Sequence, residues 1–192
     1  MKSQLTFDSK MLPQLKAKSF GGSSYKRRRK VARPLQAKAV HHVVFKSKKA
    51  VGAWSFYRHK KTVANLLHQR AKKYFVEVKD FVNMGNHLHL KLKFRDRKQF
   101  QNFLRTFPAM LARKITGAHR ANRVGGFWEG LVFTRILTSK FEEWGLRVYF
   151  EGNHRERELG RSERDRYLRR MNDFFRRLQQ TRAAKIDRTL LS

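Results

Sequence analysis

Residues 87–94 read His-Leu-His-Leu-Lys-Leu-Lys-Phe, a strict two-residue alternation of polar and apolar side chains. A helix would smear such a pattern around its whole surface, whereas a strand sends alternate residues to opposite faces. The stretch therefore predicts a β-strand with Leu88, Leu90, Leu92 and Phe94 in a core. His87, His89, Lys91 and Lys93 then share the opposite face. Any sheet built around this strand has one greasy face and one polar face.

The rest of the chain supplies partners for that strand. Residues 39–45 predict a first strand, with His42-Val43-Val44-Phe45 at its centre. A helix is predicted over 59–74, where Val63, Leu66, Leu67, Ala71 and Tyr74 recur at helical spacing. Residues 75–82 read as a strand joined to 87–94 through Asn83-Met84-Gly85-Asn86, a turn by composition. A second helix over 97–116 buries Phe100, Phe103, Leu104, Phe107, Leu111 and Ile115, and Pro108 is expected to kink or divide it. Residues 127–137 read as another strand. Ser139 and Glu142 have capping-box spacing, so a further helix should start there, weakened by Gly145 and Gly152. A last helix over 162–180 carries Leu168, Met171, Phe174 and Phe175 within an Arg-rich surround. The order strand, helix, strand, strand, helix, strand is that of an α+β, ferredoxin-like (split βαβ) domain: an antiparallel sheet with helices on one face.

Charge points to the partner. With 46 Lys and Arg against 14 Asp and Glu, the chain carries a formal +32, so a compact state repels itself unless an anion is at hand. Nucleic acid is the default anion. A membrane partner is disfavoured, since no apolar run approaches the roughly 20 residues needed to span a bilayer. Met1 to Lys10 lack the apolar core of a signal peptide, and a cytoplasmic, nucleoid-associated protein is expected. The absence of Cys removes disulfides, thiolate chemistry and Cys-built zinc sites. Residues 1–38 read as a basic, flexible arm too poor in apolar residues to order alone. Within it Lys26, Arg27, Arg28, Arg29 and Lys30 suit phosphates, although the same run also suits a solvated tail. Residues 39–160 form the predicted domain, and 161–192 a basic helical extension in which Arg169 and Arg170 are candidate phosphate contacts. His41, His59, His68 and His119 are expected at the surface. Trp54, Phe56 and Tyr57 suit either stacking on unpaired bases or a buried edge cluster.

Two His at i and i+2 of a strand can converge on one cation, although the same spacing also fits a plain polar face. Two neutral imidazoles hold a hard divalent ion loosely, so an oxygen ligand and waters would complete the shell. Lys91 and Lys93 would extend the face along a phosphate chain. That combination suits phosphoryl chemistry in which a Lewis acid polarises a non-bridging oxygen. Neither a Ser elbow, nor a Walker loop, nor a carboxylate cluster for two metals is present.

The stretch Val82-Asn83-Met84-Gly85-Asn86-His87-Leu88-His89-Leu90 resembles the Met-Pro-Asn-His-Val-His-Leu signature of the single-tyrosine HUH transposases. More narrowly, the chain resembles the REP-associated tyrosine transposases, relatives of the IS200/IS605 transposases. His42-Val43-Val44-Phe45 looks like their first strand, and Phe127-Trp128-Glu129-Gly130 like their Trp-containing strand. Tyr149-Phe150-Glu151-Gly152-Asn153 looks like their Tyr-Ile-x-x-Asn-Pro motif. The resemblance spans about residues 38–160.

That resemblance implies an enzyme that cleaves and rejoins single-stranded DNA at hairpins through a 5′-phosphotyrosine link, with Mg²⁺ or Mn²⁺ as cofactor. It implies Tyr149 as nucleophile and His87, His89 and Asn153 as metal ligands. Asn153 lies four residues beyond Tyr149, hence on the same helix face, while Glu151 should point elsewhere. Gly85 and His154 stand where the family has Pro. Read without the resemblance, Tyr149 is an amphipathic core residue and Asn153 a helix C-cap. A non-catalytic DNA binder of the same fold and a basic structural RNA-binding protein are the rival functions. The site would lie within a monomer or be shared across a homodimer.

Overall fold

The computed structural model describes residues 19–22, 32–122 and 124–190, with side chains up to residue 177. The described residues divide into two compact units, one ending at Glu143 and one beginning at Trp144. Lys26 to Lys30 lie outside the described residues.

The first unit is built on β1 (Ser19–Phe20), β2 (Val40–Lys46), α1 (Lys60–Lys73), β3 (Val76–Asn83), β4 (His87–Phe94), α2 (Arg97–Thr116) and β5 (Phe133–Leu137). The sheet order is β1-β5-β2-β4-β3, with every neighbouring pair antiparallel. Without β1 this is the split βαβ order expected from the sequence. Val43, Phe45, Leu88, Leu90, Leu92 and Phe94 form one core with Val63, Leu66 and Leu67 of α1 and Phe100, Phe103 and Phe107 of α2. The alternation in residues 87–94 therefore sorts faces as predicted.

Local chemistry sets the helix ends. The Asp96 carboxylate accepts from the Gln99 N–H at 2.6 Å, satisfying an orphan donor at the start of α2. Gly117, at φ 68°, ends it in a left-handed cap. Pro108 lies inside α2 but does not divide it: the helix runs unbroken from Arg97 to Thr116, with Pro108 itself buried.

Three expectations change. The strand expected over 127–137 is confined to Phe133–Leu137. Phe127 is buried and the adjacent Trp128 also packs on the core. Consecutive strand residues face opposite sides, so a strand cannot deliver both to one core. A turn-rich segment does so instead, tied down by Ser47 Oγ donating to the Phe127 carbonyl at 2.5 Å and by the Glu129 N–H donating to the Lys46 carbonyl at 2.7 Å. Second, part of the expected arm has a place in the fold. Ser19 and Phe20 pair with Arg135 and Thr134, and Arg33 donates to the Val132 carbonyl at 2.7 Å and to Thr134 Oγ1 at 2.8 Å. Those partners lie on β5 and the residue before it, which a reading of charge and hydrophobic periodicity does not register.

Third, His41 is buried in the core, not at the surface. It shares a face with Val43 and Phe45, its ring lying 4.8 Å from that of Phe94 and 5.6 Å from that of Phe100. Burial pushes its pKa from 6.5 down to about 4, against the opposing hydrogen bond to the Ala39 carbonyl. The folded chain thus keeps this imidazole neutral where the unfolded chain takes up a proton. Its contribution is intact above pH 6.5 and is lost as pH falls from there to about 4, roughly 3 kcal/mol in all. His42 acts in the same direction. Urea unfolding between pH 7 and 4.5 should therefore show a smaller loss of stability in His41→Phe than in wild type. An unchanged pH slope would remove His41 from the account. Of the other histidines expected at the surface, His68 and His119 are exposed, while His59 is half-buried with Nε2 2.9 Å from the Ala53 carbonyl.

The second unit contains most of α3 (Lys140–Leu159) and α4 (Arg161–Leu190), separated at Gly160 with φ 93°. The capping expectation at the start of α3 holds in modified form: Ser139 Oγ accepts from the Glu142 N–H, while Glu142 reaches back to the Thr138 N–H, one residue earlier than a capping box. Gly145 and Gly152 do not interrupt α3. At Gly152 an added Cβ would lie 3.1 Å from Leu168 Cδ2, so the missing side chain lets α4 approach. Trp144 meets Phe175 edge-on at 3.6 Å, and Arg164 pairs with Glu156 at 2.9 Å.

Candidate functional site

Strand pairing composes the polar side of the sheet. β2 sets His42 opposite Lys91, Val44 opposite His89 and Lys46 opposite His87, and β5 sets Arg135 opposite His42. His87 and His89 have ring centroids 4.8 Å apart, so the two imidazoles predicted to share a face are brought together.

Each ring is held through Nδ1. The Nδ1–H of His87 donates to Asn86 Oδ1 at 2.6 Å, which leaves Nε2 as its basic nitrogen in the neutral ring. Nδ1 of His89 lies 3.1 Å from Nε2 of His42, with the two rings stacked at 5.4 Å. His42 was not expected beside this pair. Burial, aided by the Arg135 guanidinium, pushes its pKa from 6.5 down to about 3, so it is neutral at ordinary pH. The signal was available: Val43 and Phe45 face the core, so parity sends His42 to the His87 and His89 side.

Among the described residues, no group of three or more His, Asp or Glu is arranged to hold a metal ion. His42 meets His89 on its Nδ1 side, which leaves Nε2 of His89 outside that contact. Two imidazoles anchored through Nδ1 fit a divalent ion taken through Nε2, provided that oxygen donors complete the shell.

The other predicted residues sit as follows. Lys91 is half-buried and paired with Glu143 at 3.5 Å, so part of its charge is already answered. Lys93 is half-buried at the far end of β4, and Arg169 and Arg170 are exposed on α4. Gly85 has φ 82°, a conformation closed to Pro, and an added Cβ would strike the Tyr57 ring at 2.8 Å. Trp54 and Phe56 belong to a buried cluster with Trp128 and Phe127, while Tyr57 is exposed.

In the second unit, Tyr149 and Asn153 lie one turn apart on α3. Tyr149 is half-buried, and the Arg164 guanidinium lies 5.9 Å from its ring centroid. Asn153 is 1 % exposed and sits mid-helix, which removes the C-cap reading. Its Nδ2 finds no hydrogen-bond partner among the described residues. A buried amide left so is uncommon and calls for a reason. Glu151 points to solvent and pairs with Arg155 at 3.6 Å, as expected. His154 is half-buried.

The fold is a ferredoxin-like domain that carries two histidines on the polar face of β4. No family model matches the chain, and no curated protein matches it in sequence. Among solved structures, it is similar to a REP-associated tyrosine transposase bound to a REP hairpin. That match has a TM-score of 0.51 at 6 % identity and covers 69 % of this chain and 76 % of the other. A crystal structure assigned as a transposase from Deinococcus radiodurans R1 matches with a TM-score of 0.39 at 17 % identity, covering 65 % and 98 %. The first likeness places the fold. No helix among the described residues is long and apolar enough to cross a membrane.

Proposed function

We propose that this protein cleaves and rejoins single-stranded DNA beside a hairpin, in the manner of a single-tyrosine transposase. One observation carries the reading: His87 and His89 share a sheet face with both Nδ1 atoms engaged, on a fold shared with a hairpin-bound tyrosine transposase. His87 and His89 would hold Mg²⁺ or Mn²⁺ through Nε2, and the buried Asn153 amide oxygen is the candidate third ligand. The bound ion would polarise a non-bridging phosphate oxygen. Tyr149 supplies the nucleophile. Its oxygen bonds to phosphorus as the bond to the 3′-oxygen breaks, and the phenolic proton passes to solvent while the departing 3′-oxygen takes one up. A 5′-phosphotyrosine and a 3′-hydroxyl result, and reversal rejoins the strand without ATP. The excess of Lys and Arg holds DNA through phosphates, so affinity should fall steeply with salt.

The test is incubation with hairpin DNA carrying single-stranded flanks, with Mg²⁺ or Mn²⁺, followed by a denaturing gel. A covalent adduct that EDTA prevents is expected. Salt-sensitive binding with no adduct would instead make this a non-catalytic DNA binder, and a preference for structured RNA would make it an RNA-binding protein.

His42 offers a separate check on the metal. A His89 ring that ligates through Nε2 carries its proton on Nδ1, and this Nδ1–H donates a hydrogen bond to Nε2 of neutral His42. His42→Ala is expected to weaken Mn²⁺ binding roughly 10- to 100-fold by isothermal titration. Unaltered Mn²⁺ affinity in a folded variant would deny His42 this role.

A further inference from the structure

Phe75 directly follows α1 and its cap residue Tyr74, at a position where a helix commonly ends on Gly. Its φ is 52°, a left-handed conformation that bulky side chains rarely adopt. The residue is 76 % exposed, so burial does not offset the strain. Among the described residues one other non-glycine has positive φ: Lys38, at 66°, in the turn leading to β2. Both line the same open cleft of about 720 Å³, together with Glu77, Lys93, Phe94 and Arg95. Glu77 is ion-paired to Lys79, and that contact together with Lys93 and Arg95 holds its carboxyl below the usual range. Three cations against one acid leave the cleft positive.

Strain held at two positions of one cleft is an observed outlier that points to use. An exposed aromatic face among cations is the chemistry of an unpaired nucleotide: the base stacks on the ring and phosphates meet the ammonium and guanidinium groups. We propose that Phe75, Lys38, Lys93 and Arg95 form a binding site for an unpaired nucleotide of single-stranded DNA. Phe75 is the stacking platform. The site lies at the end of β4 opposite His87 and His89, so it grips strand away from them. It rests on the reading that the protein binds single-stranded DNA, but not on cleavage.

Phe75→Gly separates this role from a structural one. Glycine suits the left-handed cap, so the variant should have a Tm no lower than wild type. Its affinity for a fluorescent oligothymidylate of roughly 15 nucleotides should nevertheless fall on the order of tenfold by anisotropy. No cation is lost, so the slope of log affinity against log salt should not change. Arg95→Ala should reduce that slope by about 0.7. Wild-type affinity in Phe75→Gly overturns the site and leaves the wider DNA-binding reading standing. Wild-type protein that binds no single-stranded DNA overturns both. An affinity loss accompanied by a lower Tm returns Phe75 to a structural role and also overturns the site.

Discussion

Tyr149→Phe is expected to lose the covalent DNA adduct completely while changing DNA affinity by less than about twofold, the scale of a substitution that removes no packing. Phe keeps the ring in its half-buried place on α3, near the Arg164 guanidinium. It removes the oxygen that would bond to phosphorus. The informative control is Tyr167, the other described phenol of the same unit. Burial, with the Glu151 carboxylate, pushes its pKa up, so its oxygen is hard to ionise near neutrality. Tyr167→Phe should retain the adduct. Adduct formation that survives Tyr149→Phe and disappears in Tyr167→Phe would sink the assignment. Fluorescent hairpin DNA on a denaturing gel, alongside an anisotropy titration, reads both quantities.

Glu156→Ala should cost about 3 kcal/mol in the unfolding of the second unit, the lower end for breaking a buried ion pair. Arg164 is 1 % exposed and pairs at 2.9 Å with Glu156, whose side chain keeps 26 % of its surface. The two partners are therefore unequal. Losing Glu156 takes one carboxylate from a guanidinium that stays buried, whereas losing Arg164 leaves a carboxylate that water can reach. Arg164→Met, which keeps the aliphatic length, should consequently cost less than Glu156→Ala. Denaturant unfolding of both variants measures the order, and the reverse order would contradict the account. Arg164 also stands beside Tyr149, where its charge would stabilise negative charge developing on the phenol. Arg164→Met should therefore slow adduct formation in protein that is still folded.

Much of the sheet domain was legible because its signals are local. The alternation of residues 87–94 sorted core from polar face, and the stripes over 59–74 and 97–116 gave α1 and α2 nearly to the residue. The misses share a different cause. The short strand at Ser19–Phe20 is defined by backbone pairing with β5, which hydrophobic periodicity does not record. The segment 127–132 is rich in strand-forming residues, but two adjacent aromatics needed the same core, and tertiary packing overrode propensity. Phe75 looked like the first residue of a strand and is a strained helix cap instead.

The paired histidines follow the same division. That His87 and His89 share a polar face follows from the order of residues alone, because a strand's two-residue period admits no other arrangement once Leu88 and Leu90 are buried. The sign of the partner follows likewise, since a formal +32 belongs to composition alone. The contact between His42 and His89, by contrast, exists only in the folded chain. That contact depends on the register setting Val44 opposite His89, a pairing between strands 47 residues apart in sequence at the two imidazoles. The same holds for the burial of Asn153 and for the cleft beneath Phe75. Burial and register arise from distant segments meeting, and the pattern within one strand or helix carries no record of which neighbour it will meet.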